Sequence, residues 1–165
     1  VARVKGLAAL ARGCALLGGL LLTSITLVTC ASLVGRNTTG WTLVGDFELS
    51  ASAVGAALAL FVPWCQVTRG HIIVDFFTAR AGARTVAALD RLGALLLGLA
   101  MALVAWRTAI GGLNAWRSQA GSMMLGFPEW IVYALMVPPL ALAALIALVQ
   151  ALRGFDDVAP AGPAG

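Results

Sequence analysis

Charge is scarce in this chain: 165 residues carry 11 Lys and Arg and 7 Asp and Glu, with a single histidine, a single tyrosine and three cysteines. Each shortage removes a class of chemistry. A membrane haem site wants two axial side chains at matching depth, and one His71 cannot supply them. Cys14, Cys30 and Cys65 fall within or at the edge of apolar runs, so they read as small buried hydrophobes rather than as a disulfide framework or a metal site. The carboxylates Asp46 and Glu48 are separated from Asp75 and Asp90 by an entire apolar stretch, which leaves no acid pair for hydrolysis. HExxH, CxxC, a phosphate-cradling glycine loop with Lys-Ser/Thr, and GxSxG are all missing. The chain is therefore expected to be no enzyme and to hold no cofactor of its own.

What the chain has in abundance is apolar length. Hydrophobic residues make up 61% of it and mean hydropathy is +0.95. Four stretches are free of charge, 13–35, 49–68, 92–106 and 130–152. A hydrocarbon layer about 30 Å thick takes roughly 20 apolar residues as helix. Three of the stretches meet that length, and the third in order is cut short by Arg107, close enough to its end to reach the headgroups. The expectation is an all-α polytopic membrane protein with four transmembrane helices, residues 1–153, followed by a disordered Pro/Ala/Gly-rich tail, 154–165. The basic N-terminus flanks a run too long for a typical signal peptide and reads as a retained first helix.

The net charge of +4 would point to nucleic acid in a soluble protein, but in lipid its distribution reports topology. With both termini in the cytoplasm, Arg3, Lys5, Arg12, Arg69, Arg80, Arg84, Arg91 and Arg153 lie inside, and Arg36, Arg107 and Arg117 lie outside. That asymmetry favours cytoplasmic termini and argues against a nucleic-acid partner.

Hydropathy and turn residues place helix 1 over about Leu7 to Leu33, helix 2 from Phe47 to Gln66 and helix 3 from Val86 to Ile110, with Gly111-Gly112 as a break or bend. Helix 4 extends to about Leu152 and should bend at Pro138-Pro139. The connection from Arg69 to Arg91 mixes Ile72, Ile73, Val74, Phe76 and Phe77 with His71, Asp75, Arg80 and Arg84, as expected of a short amphipathic helix on the cytoplasmic surface. Trp41, Trp64, Trp116 and Trp130 fall near the span ends and read as depth anchors or interface contacts. Asn37-Thr38-Thr39 matches a glycosylation sequon of a kind that arises often by chance.

A self-sufficient pump or channel places ionisable groups in the membrane interior. Glu48 is the nearest candidate, and the alternative reading is a stand-alone four-helix proton-coupled drug exporter. Its place at the beginning of helix 2 fits a cap, headgroup or subunit contact better.

Several motifs then occur in order: GDFELS before helix 2, GAALALFVPWCQVTRGHIIVDFFTAR from Gly55 to Arg80, and LGFPEWIVYALMVP leading into helix 4. Over roughly Arg12 to Arg153 this pattern resembles the small membrane subunit, DctQ, of the tripartite ATP-independent periplasmic (TRAP) transporters. Arg69-Gly70-His71-Ile72-Ile73-Val74-Asp75 resembles the family's R-x-H-I-x-V-D segment, Glu48 its acidic position at helix 2, and Pro128-Glu129-Trp130 its Pro-x-Trp start of helix 4. The resemblance implies a noncatalytic small permease in a bacterial inner membrane. Its implied partners are a large DctM-like membrane subunit, expected to carry the sodium and solute sites, and a DctP-like periplasmic binding protein. The implied process is sodium-driven uptake of organic acids such as C4-dicarboxylates or sialic acids, with this chain as scaffold. Glu48, Arg69, His71, Asp75, Trp41, Trp64 and Trp130 are the candidate subunit or lipid contacts.

Overall fold

The computed structural model describes residues 2–38, 40, 45–68 and 83–153, with side chains from residue 6 in the first helix and over 88–152 in the last two. Four helices make up nearly all of it: α1 (Ala2–Thr38), α2 (Asp46–Val67), α3 (Ala83–Ser118) and α4 (Trp130–Arg153). All four are long and apolar enough to cross a membrane, and among the described residues there is no strand beyond one isolated bridge, Gly121 with Pro128. The architecture is an all-α, four-span membrane protein.

The helices differ in length in a way that organises them. At a rise of about 1.5 Å per residue, α2 and α4 are roughly 33–36 Å long, matched to the membrane, whereas α1 and α3 approach 55 Å. The two short helices are central. Helix α1 packs on α2, α2 on α4, and α4 on α3; α1 also grazes α4. Among the described residues the backbone of α3 approaches neither α1 nor α2, so the spatial order is α1–α2–α4–α3, an open row rather than a closed bundle.

Two apolar clusters hold the row. Ala11, Val67 and Ile146 are fully buried near the termini, with Leu7, Ala8, Trp64, Leu142 and Val149 around them. Ala59, Ala105 and Leu140 form a second cluster, flanked by Met101 and Met136. Alanines take part in both, as expected where van der Waals packing, and not exclusion of water, drives helices together. Gly18 and Gly98 work the same way: a Cβ at Gly18 would sit 3.1 Å from Leu60 Cβ, and one at Gly98 3.1 Å from the Leu148 side chain.

Helix α1 outruns the expected Leu7–Leu33 at both ends because hydropathy marks the span, while the residues beyond it, Arg36 among them, continue the helix into the headgroup region. The break expected at Gly111-Gly112 is absent; α3 passes through both. Tyr133 of α4 fills the space that side chains there would take, 2.9 Å from its Cβ at Gly112 and 3.3 Å from its ring at Gly111. The pair is a close-approach site for α4.

Helix α4 continues through Pro138 and Pro139. These prolines return no N–H to the carbonyls of Ala134 and Leu135. The surface connector expected between Arg69 and Arg91 lies outside the described residues up to 82, and α3 begins at Ala83.

Candidate functional site

The most elaborate polar construction stands at the end of the row away from the termini, where α2 begins and α3 connects to α4. Gly45 takes a left-handed conformation, φ 82°, and its carbonyl accepts from Leu49 N at 3.0 Å, opening α2. Asp46 and Glu48 occupy the first turn, where exposed N–H groups favour negative charge. Both carboxylate oxygens of Glu48 accept from Met124 N, at 3.3 and 3.2 Å, across 76 residues of chain.

Met124 belongs to a tight hairpin over residues 119–129. Helix α3 closes with Gln119 at φ 52°, whose side-chain amide donates to Trp116 O at 2.9 Å. Ser122 N then donates to Phe127 O at 2.9 Å, Gly126 N to Ser122 O at 3.0 Å, and Glu129 N to Ala120 O at 3.1 Å. Leu125 lies directly over Gly45, so close that a Cβ there would come within 2.5 Å of it. Glu48 and Gly45 thus dock one connection of the row onto the start of α2.

The same turn of α2 is tied to α1. Thr29 and Ser50 hydroxyls lie 3.1 Å apart, and each reaches Asp46 Oδ1 at 3.5 Å. Elsewhere on α1, Thr23, Ser24, Thr26 and Thr38 each donate to the carbonyl four residues back. Donors engaged in this way form no polar pathway through the membrane. Beside the hairpin, Trp116 and Trp130 meet edge to face with centroids 4.6 Å apart.

A second polar feature lies near the termini. Gln66 Nε2 donates to Gln150 Oε1 at 2.7 Å, and Gln150 Nε2 donates to the Gln66 carbonyl at 3.1 Å. Gln150 is 1% exposed and Gln66 5%, so water cannot replace either bond. Gln150→Leu removes both bonds while keeping similar bulk, and should lower unfolding stability in micelles by about 1–2 kcal/mol. Equal stability of the variant and the parent in a denaturant titration would show that this pair contributes nothing net.

Among the described residues no group of three His, Cys, Asp or Glu side chains could hold a metal ion. The contacts described fix helices and one connection relative to each other. Residues 25–157, most of the chain, match the DctQ family, the DctQ component of the tripartite ATP-independent periplasmic transporters. The chain belongs to this family. It is accordingly a small permease subunit of a TRAP transporter, a noncatalytic multi-pass component of the bacterial inner membrane. No curated protein and no solved structure matches it.

Of the candidate contact residues read from the sequence, the structure describes Glu48, Trp64 and Trp130. Glu48 holds the hairpin, Trp64 packs beside the Ala11, Val67 and Ile146 cluster, and Trp130 meets Trp116 edge to face. Trp41, Arg69, His71 and Asp75 lie outside the described residues. Gln66, Gln150, Gly45 and Met124 escaped the sequence reading. The glutamines carried a usable signal, since a carboxamide inside FVPWCQV or IALVQAL needs a partner within the protein.

Proposed function

We propose that this DctQ-family chain is the fixed scaffold of a sodium-driven importer of organic acids, C4-dicarboxylates or sialic-acid-like solutes. A large DctM-like subunit carries the sodium and solute sites, and a DctP-like periplasmic protein delivers the solute. The observation that carries the scaffold role is the open row: α1 and α3 expose leucine-rich faces along most of their length, with Leu16, Leu20 and Leu27 on one flank and Leu96, Leu99 and Leu103 on the other. Such flanks suit lipid on one side and a second membrane protein on the other. With both termini cytoplasmic, the hairpin and Glu48 face the periplasm, where the binding protein works.

Glu48, Trp41, Trp64 and Trp130 are proposed contacts of this chain with its partner or with lipid, and Arg69, His71 and Asp75 of its cytoplasmic surface. Glu48→Gln keeps the size of the side chain and removes the charge that receives Met124 N–H. At limiting expression, the variant should recover less of the large subunit on affinity purification; undiminished recovery would count against a charged junction.

The deciding experiment is uptake into proteoliposomes under an inward sodium gradient, with the large subunit and the loaded binding protein, in the presence and absence of this chain. Uptake should require all three proteins. Equal uptake without this chain would refute the scaffold role, and proton-coupled drug transport by this chain alone would favour the four-helix exporter.

A further inference from the structure

The hairpin between α3 and α4 is ordered by hydrogen bonds along its whole length, yet its tip presents apolar side chains outward. Met123 is 99% exposed and Met124 68%. Phe47, next to the carboxylate that grips the hairpin, is 85% exposed. The segment Gly121-Ser-Met-Met-Leu-Gly-Phe-Pro128 holds no charge; Glu129 follows it at the base of the hairpin, and Glu48 is directed at a backbone N–H of the hairpin. Soluble surfaces rarely concentrate apolar groups in this way without a cover.

The position of the patch identifies the cover. Exposed apolar side chains recur from Leu125 and Phe127 on the hairpin to Ile131 and Leu135 on α4, these last two about one helical turn apart and within a membrane-crossing segment. The Trp116–Trp130 pair stands at the root of the hairpin, and paired indoles of this kind settle at headgroup depth. Phe47 lies in the first turn of the α2 span. The tip is thus continuous with the lipid-facing surface of the helices and starts from the same level. Methionine side chains, unbranched and adaptable, suit insertion among acyl chains.

We propose that the Met123–Leu125 tip, with Phe47 beside it, is an interfacial membrane anchor that inserts into the leaflet at which α2 begins, its occupant being phospholipid. Glu48 and Gly45 then hold the anchor at a fixed height on α2. The end of α3 is thereby tied to the bilayer surface as well as to α4. This reading rests on the four membrane spans and does not depend on the transported solute.

The test is spin-label accessibility. In a background with Cys14, Cys30 and Cys65 replaced by alanine, a nitroxide is placed through Met123→Cys, and separately through Asn37→Cys at the exposed end of α1 as an aqueous reference. The chain is reconstituted with its large membrane partner in phospholipid nanodiscs. Collision with oxygen should exceed collision with water-soluble Ni-EDDA at position 123, and the order should reverse at position 37. Ni-EDDA dominating at 123 would overturn the anchor, and so would low accessibility to both reagents, which would mean that a protein covers the tip. If the cysteine-free chain fails to assemble, methionine footprinting on the native chain serves instead, in nanodiscs that hold one copy and no partner, where lipid is the available cover. Met123 should then resist a water-soluble oxidant relative to the unfolded chain; oxidation at the unfolded rate would overturn the proposal.

Discussion

Gly112→Val should loosen the joint between α3 and α4 and lower stability in micelles by about 1–3 kcal/mol, the usual range for overpacking a tight contact. Two effects oppose each other at this position. A side chain at a helical glycine reduces the freedom of the unfolded chain, and helix propensity alone would favour valine by about a few tenths of a kcal/mol. Against it stands a Cβ only 2.9 Å from Tyr133 Cβ. That atom is fixed to the α4 backbone and cannot swing aside as the end of a long side chain could, so the helices must separate. Packing therefore wins. The displacement would spread to the Trp116–Trp130 contact, one turn further along α3. Gly93→Val is the control: nothing lies within 4 Å of a Cβ there, so the propensity gain is unopposed and stability should hold or rise. Parallel denaturant titrations of the two variants check the prediction, and equal losses would show that α3 glycines act through the backbone alone.

The same glycine shows where reading the sequence stopped. Hydropathy located all four spans because the solvent imposes it, residue by residue, over about 20 positions at a time. The bounds of α2 and α4 followed to within a residue, since Gly45 and Thr68 at one helix and Pro128 at the other coincide with the ends of the apolar runs. Gly111-Gly112 read as a break or bend because glycine next to glycine commonly interrupts helices in water. Whether such a pair bends a helix or admits a neighbour depends on what lies opposite, and Tyr133 is invisible from α3 alone.

The site was legible in the same uneven way. Glu48 stood out as an acid beginning a span, but the N–H that it receives comes from a residue 76 positions away with no polar side chain, so no pattern of residue types could name it. Gln66 and Gln150, 84 positions apart, were readable singly and paired only by the fold. The open order α1–α2–α4–α3 was not readable at all. Hydropathy reports that a helix faces something apolar and does not distinguish lipid from a second protein.

Gly45→Val should release the hairpin from α2, and its effect should exceed that of any surface substitution at this end of the molecule. Gly45 combines two demands that a β-branched residue cannot meet. Its φ of 82° lies in the left-handed region, which costs an ordinary residue roughly 1–2 kcal/mol and a β-branched one more. Any Cβ would also fall 2.5 and 2.6 Å from Leu125 Cγ and Cδ1. Leu125 could rotate away, but it is the residue through which the hairpin rests on α2, so relief of the clash itself undocks the hairpin. Glu48 then loses the Met124 N–H, because both contacts belong to the same turn of chain. Gly45→Asn separates the two causes: asparagine tolerates the left-handed conformation far better than valine, so the backbone cost largely disappears while the clash with Leu125 stays. Hydrogen–deuterium exchange of a peptide spanning 120–129 in nanodiscs should therefore accelerate in both variants, whereas α2 should fray at its start only with valine. Protection of 120–129 unchanged in either variant would mean that Glu48 alone holds the hairpin and that the approach of Leu125 to Gly45 follows from that hydrogen bond.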